Sequence, residues 1–186
     1  MAGRTGIPMT FTEDVDTTGS ATAKYPLGTL RMEETSGVVG LESYRYIYFD
    51  NGTAVAAAAS GLCYRGVTAA RPWEVTSDVS GVKSSFVTGV FMSILTDTYY
   101  GWVKTQGYVA ALKKKTGSGL GWTLGDYLYA GNNATDDMIA YRIKLAATTK
   151  VSGAELRAAL QAGIGFAAAA VSSTTATGAA YINLER

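Results

Sequence analysis

Few residues in this chain have the type and spacing to do chemistry. Asp14 with Asp16, and Asp136 with Asp137, are paired acids that could suggest a hard-metal oxygen site. A calcium loop alternates its acids and follows them with a glycine and a distal glutamate, and neither pair has that spacing. Both are expected to be solvated loop acids. Lys113-Lys114-Lys115 is a run that could meet nucleic acid or an acidic protein face, and its plain alternative is a solvated loop tip. Gly117-Ser118-Gly119-Leu120-Gly121 lacks the Gly-Lys-Ser/Thr ending of a phosphate loop and its strand–helix setting. Cys63 is the only cysteine, so there is no disulfide framework and no multi-cysteine zinc site. Its apolar neighbours suggest a small buried side chain rather than a reactive thiol.

Histidine is absent. That removes Ser-His-Asp and Cys-His catalysis and every histidine-based metal site. No two carboxylates can be assigned to one cleft, so glycoside hydrolysis has no support. The expectation is a protein that is not an enzyme and holds no cofactor or metal. Binding is the chemistry that remains. Tyr44, Tyr46 and Tyr48 lie two apart, which puts them on one face of a strand. Such a stripe reads as a sheet face at a core edge or a partner contact. The other reading is a stacking platform for sugars or bases. Ile7, Pro8, Met9 and Phe11 form a small apolar cluster in an otherwise polar stretch, and they are candidate partner contacts as well.

These residues need elements to position them. The richest stretch is Thr96–Tyr129, with Trp102, Trp122 and tyrosines 99, 100, 108, 127 and 129. Aromatic and β-branched residues fit a pleated, half-buried surface. The pattern predicts a long strand over Tyr99–Leu112, bent near Gly107 or split there into two. A loop over Lys113–Gly121 and a strand over Asp126–Tyr129 follow. Elsewhere strands are predicted at Thr29–Met32, Glu42–Asp50, Leu62–Tyr64, Trp73–Thr76, Ser85–Leu95 with a bulge at Gly89, Met138–Leu145, Gly163–Val171 and Ala179–Leu184. Short helices are predicted at Thr53–Ser60 and Ser152–Ala162, each with a capping residue at its start. Residues 1–24 have no sustained periodicity and read as an extended N-terminal arm, and residues 25–186 as one β-rich domain.

Composition is consistent with this. The 186 residues suit a single domain. Apolar residues make up 47%, enough for a core, while charged residues are only 17%, below the usual quarter. So little charged surface hints at coverage by neighbours. A net charge of +1 speaks against a dedicated nucleic-acid partner. No secretory signal is read at the start, and the longest apolar run, Ile164–Val171, is too short for a membrane helix.

Three groups of residues carry a family resemblance. Tyr100-Gly101-Trp102-Val103, then Gly107-Tyr108-Val109-Ala110-Ala111, then Gly125-Asp126-Tyr127-Leu128 resemble a pattern found in tailed-phage head decoration, or cement, proteins. The opening Tyr25-Pro26-Leu27-Gly28-Thr29-Leu30 and the ending Ile164-Gly165-Phe166-Ala167 with Ala179–Leu184 are similar too. The lysine- and glycine-rich Lys113–Gly121 segment departs from it, where a tighter acidic turn is expected. The resemblance implies a small antiparallel β-barrel or sandwich without catalysis. It also implies a homo-oligomer, with a trimer favoured, that binds the major capsid protein on the outside of a virion assembled in the host cytoplasm. Two other readings stay open: a carbohydrate- or peptide-binding β module using the tyrosine stripe or Trp102, and a tail or connector component.

Overall fold

The computed structural model describes residues 18–34, 41–51, 59–65, 71–77, 87–118, 120–130, 140–143 and 163–184. Among these the chain is mainly β and forms one sheet. Its strands are β1 (Leu30–Glu34), β2 (Leu41–Phe49), β3 (Leu62–Arg65), β4 (Glu74–Thr76) and β5 (Val87–Phe91) in the first half. The long β6 (Tyr100–Lys113) leads to β7 (Tyr127–Ala130), β8 (Ala140–Ile143), β9 (Gly163–Ala167) and β10 (Thr177–Asn183). The predicted helix at Ser152–Ala162, and most of the one at Thr53–Ser60, lie outside the described residues; Ala59 and Ser60 are in a turn.

The strand order is β1-β2-β4-β3-β5-β6-β10-β9-β7-β8, with β2 also paired to β6. The run from β2 through β4, β3 and β5 to β6 therefore returns to β2. Every pairing is antiparallel except β2 with β4, where Tyr48 stands beside Glu74 and Phe49 beside Val75. Each strand of this ring contributes to one cluster: Ile47 and Phe49, Cys63, Val75, Phe91 and Val103. Leu95 joins them from the turn after β5, and all are sealed from water. The Phe49 and Phe91 rings meet edge to face at 5.4 Å. The space is tight enough that a Cβ on Gly89 would come within 2.8 Å of Val103 Cγ2. Ser85–Leu95 was expected to be strand throughout. In the described part it ends at Phe91, and the turn lets Leu95 point inward while Ile94 is exposed.

A second core lies on the other side of β3 and β5. Leu62, Tyr64 and Val90 pack there with Val109, Leu112, Trp122, Leu128, Ile164, Ala180 and Ile182. Strand β6 belongs to both cores. It pairs with β2 through Tyr100–Gln106 and with β10 from Gln106 to Lys113. The change of partner falls at Gly107, whose φ of 116° suits glycine and whose missing side chain leaves room for Glu42. Gly107 thus marks a change of partner within one continuous strand.

One expectation needs correction. The Lys113–Gly121 segment is not a solvated tip at its start: Lys113 closes β6, and Lys114 is buried, its ammonium donating to the Thr175 and Lys115 carbonyls at 2.8 and 3.0 Å. Its ammonium is held here by backbone oxygens that sequence spacing does not reveal. Residues 18–24, the described part of the predicted arm, are tied to β6 at Ser20. Ser20 and Tyr100 exchange both backbone hydrogen bonds, at 2.9 and 2.8 Å.

Candidate functional site

The tyrosine stripe of β2 is where sequence reasoning placed a contact surface. The alternation is as expected, since Tyr44, Tyr46 and Tyr48 share a face, but that face is covered. Tyr44 and Tyr46 pack with Trp102, which stands opposite Tyr46 on β6, and all three are 5% exposed or less. The cover is the segment before β1. Tyr25 meets Tyr46 edge to face at 5.3 Å and lies 5.4 Å from Trp102. The Lys24 amide donates to the Tyr46 hydroxyl at 3.0 Å, and the Gly28 amide to the Tyr46 carbonyl at 2.8 Å. Tyr48 lies under the Arg71 guanidinium, 4.2 Å from its ring centre. A partner could reach Tyr44, Tyr46 or Tyr48 only by displacing this cover, and the structure places all three in the core. Trp102, read as an alternative binding residue, is core for the same reason.

At the Tyr44 end of the stripe sits the one described group whose residue types look catalytic. Lys104 Nζ donates to Glu42 Oε1 at 2.8 Å and to the Tyr108 carbonyl at 2.8 Å. The Tyr44 hydroxyl donates to Glu42 Oε2 at 2.5 Å. All three side chains are buried. Burial, and next the hydrogen bond to Glu42, push the Tyr44 hydroxyl far above its ordinary value, so it stays neutral and keeps donating. The cluster ties β2 to β6 where their register slips by a residue beside Tyr44. Its polar groups are spent on one another and on the Tyr108 carbonyl, with little of their surface open, and it acts as a brace.

The remaining sequence candidates separate cleanly. Cys63 is fully buried, and burial pushes its thiol well up, which keeps it in the unreactive protonated form. Ile7, Pro8, Met9 and Phe11, like Asp14, Asp16, Asp136 and Asp137, lie outside the described residues. A hollow of about 190 Å³ opens between Arg65, Pro72, Trp73, Glu74, Val75 and Thr88. That is below the roughly 300 Å³ at which ligand clefts begin. Among the described residues no three acids or cysteines are grouped to hold a metal, and no helix is long and apolar enough to cross a membrane.

The open surface lies elsewhere. On four adjacent strands the register lines up Tyr108 of β6 with Tyr181 of β10, Tyr181 with Phe166 of β9, and Phe166 with Tyr127 of β7. The row faces away from the second core, because its sequence neighbours Val109, Ile182, Ala167 and Leu128 point into that core. Tyr181, Phe166 and Tyr127 are 47%, 43% and 45% exposed. Tyr108 and Tyr181 lie 5.4 Å apart and Tyr127 and Phe166 4.4 Å, each pair tilted by about 55°. Close strand approach holds the row together: Gly165 has a φ of 149°, and a side chain there would collide with the Tyr181 carbonyl. A second, smaller apolar patch lies on the β1–β2 hairpin, where Leu30, Met32 and Leu41 are exposed.

No known family, characterised protein or solved structure matches this chain. The site is therefore read from its own chemistry. Sequence reasoning missed the aromatic row because its members come from four separate strands. The signal was present only locally: each aromatic sits beside an aliphatic residue or alanine of opposite facing.

Proposed function

We propose that the chain is a non-enzymatic structural protein of a phage virion, one that binds the outer surface of the capsid and reinforces contacts between capsomers. The observation that carries this reading is a contrast in exposure. The only catalytic-looking group among the described residues, Lys104–Glu42–Tyr44, is buried as a brace, while large apolar side chains such as Leu30, Met32, Leu41, Tyr127, Phe166 and Tyr181 stand exposed. The low charge of the sequence and its resemblance to decoration proteins support the same reading. In this proposal the ring β2-β4-β3-β5-β6 is a small β-barrel, and copies associate with one another and with the major capsid protein, as a trimer by preference. Leu30, Met32 and Leu41 of the hairpin take the shell-facing part that sequence reasoning gave to the tyrosine stripe, and Ile7, Pro8, Met9 and Phe11 serve as arm anchors. Reinforcement follows from geometry: a copy that spans two capsomers adds interface that must break together with theirs, and many copies act through avidity.

The test is co-sedimentation of the purified chain with undecorated capsids. Saturable, many-copy attachment is expected, weakened at least tenfold by Met32→Asp or Phe11→Ala with the fold intact. Absence of attachment, or attachment of only a few copies per particle, would defeat the proposal.

A further inference from the structure

We infer that the row Tyr108–Tyr181–Phe166–Tyr127 is a binding strip for a neutral saccharide chain. The four rings occupy successive strands, so at about 4.8 Å per strand the strip is about 14 Å long. That length holds a few sugar units in a line. Ala110 and Ala111 of β6 and Ala179 of β10 are small neighbours along the strip, and Ile143 of β8 stands beside Tyr127 in the register.

The chemistry of the strip narrows its occupant. Its rungs carry no charge, and the pair flanking Tyr108 and Tyr181 two residues along, Gln106 opposite Asn183, is neutral too. Nucleic acid needs a basic groove beside its stacking rings, so it does not fit. A charged peptide has no counter-charge among the rungs. A second copy of the chain is disfavoured by size. Three rings that show a little under half of roughly 200 Å² each offer about 300 Å², against about 800 Å² per partner in a stable protein interface. A pyranose ring matches what is left. It has an apolar C–H face whose hydrogens are attracted to the negative face of an aromatic ring, and a rim of hydroxyls. The tyrosine hydroxyls and the amides of Asn183 and Gln106 can both donate to and accept from that rim. The tilt of about 55° within each ring pair makes the strip stepped, which suits a chain whose successive units turn relative to one another.

The experiment titrates the full chain with cellohexaose, chitohexaose, maltohexaose and laminarihexaose, followed by calorimetry. Binding of at least one is expected, weakened at least tenfold by Tyr181→Ala and by Phe166→Ala with melting temperatures close to the parent. Trp73→Ala, at an exposed aromatic far from the row in the sheet order, should leave binding unchanged. No binding to any of the four, or binding insensitive to both row variants, overturns the inference. So does a self-association that Phe166→Ala dissolves, which would make the face a contact between copies. Loss of capsid attachment in the same variants assigns the face to the shell and overturns it too. Sugar binding lost while capsid attachment persists supports the strip and leaves the virion proposal standing by itself.

Discussion

Two aromatic surfaces of this protein arise from the same local rule and meet opposite fates. On β2 and β6, Tyr44, Tyr46 and Trp102 are roofed by Tyr25 and Leu27. On β6, β10, β9 and β7, an aromatic row stands in the open. Alternation along a strand says only that certain side chains share a face. Whether water reaches that face is decided by a segment that lies elsewhere in the sequence. For the first surface that segment is the stretch before β1, pinned by the Ser20–Tyr100 pair. Tyrosine and tryptophan density is therefore a poor guide to a binding site until the cover is known.

The comparison can be broken most forcefully at Trp102. Trp102→Ala removes the centre of the covered cluster and should cost about 3–5 kcal/mol in urea unfolding. A variant that unfolds at the parental midpoint would show that the cover is loose and the face open. Glu42→Ala comes next. It leaves the Lys104 ammonium buried without its carboxylate, and a loss of about 3 kcal/mol is expected. Glu42→Gln, which keeps an acceptor, should lose less. Removing residues 1–24 tests what pins the roof, since Tyr25 and Leu27 remain. It deletes both Ser20–Tyr100 hydrogen bonds and the packing of Gly19 against Leu95, so a loss of about 2 kcal/mol is expected, several degrees in a domain of this size. An unchanged melt would return residues 18–24 to the arm.

Alkaline titration reads the same roof without a mutation. Tyr44 and Tyr46 both have their ionisation pushed above the ordinary value of 10.0, chiefly by burial. The folded state then holds these protons when the unfolded chain has released them. Stability contributed by their neutral forms is complete below about pH 10 and is lost as pH rises beyond it. Tyrosinate absorbance from these two residues should thus appear together with unfolding, and Tyr44→Phe should flatten the alkaline limb of the stability profile. The smallest effect belongs to the open row. Tyr181→Ala should change stability by under about 1 kcal/mol, because much of that ring is already in water. A larger loss would mean that the row is structural.

How much of this was readable in advance follows from which interactions are local. The strand over Glu42–Asp50 appears as Leu41–Phe49, and the long strand over Tyr99–Leu112 as Tyr100–Lys113, because period-two patterns and glycine punctuation act within a few residues. The β-rich class followed from the same signals. Partner choice did not. The parallel pairing of β2 with β4 and the return of β6 to β2 join segments far apart in sequence, and one strand's pattern does not name its neighbour. The burial of Lys114 depends on the carbonyl of Thr175, 61 residues away. The aromatic row was invisible for the same reason, since each ring is ordinary on its own strand and the register makes the site.

The sharing of β6 between two cores also has a consequence for synthesis. All five strands of the ring lie at or before Lys113, so the ring has every partner it needs before β7 is made. The outer faces of β3 and β5, with Leu62, Tyr64 and Val90, have none of their β7, β9 and β10 partners at that stage. A chain growing from its N-terminus at ~5–20 residues per second therefore carries a bare apolar flank for seconds. Overproduction should expose this interval as aggregation of nascent chains, with slower elongation over the region after Lys113 making it worse.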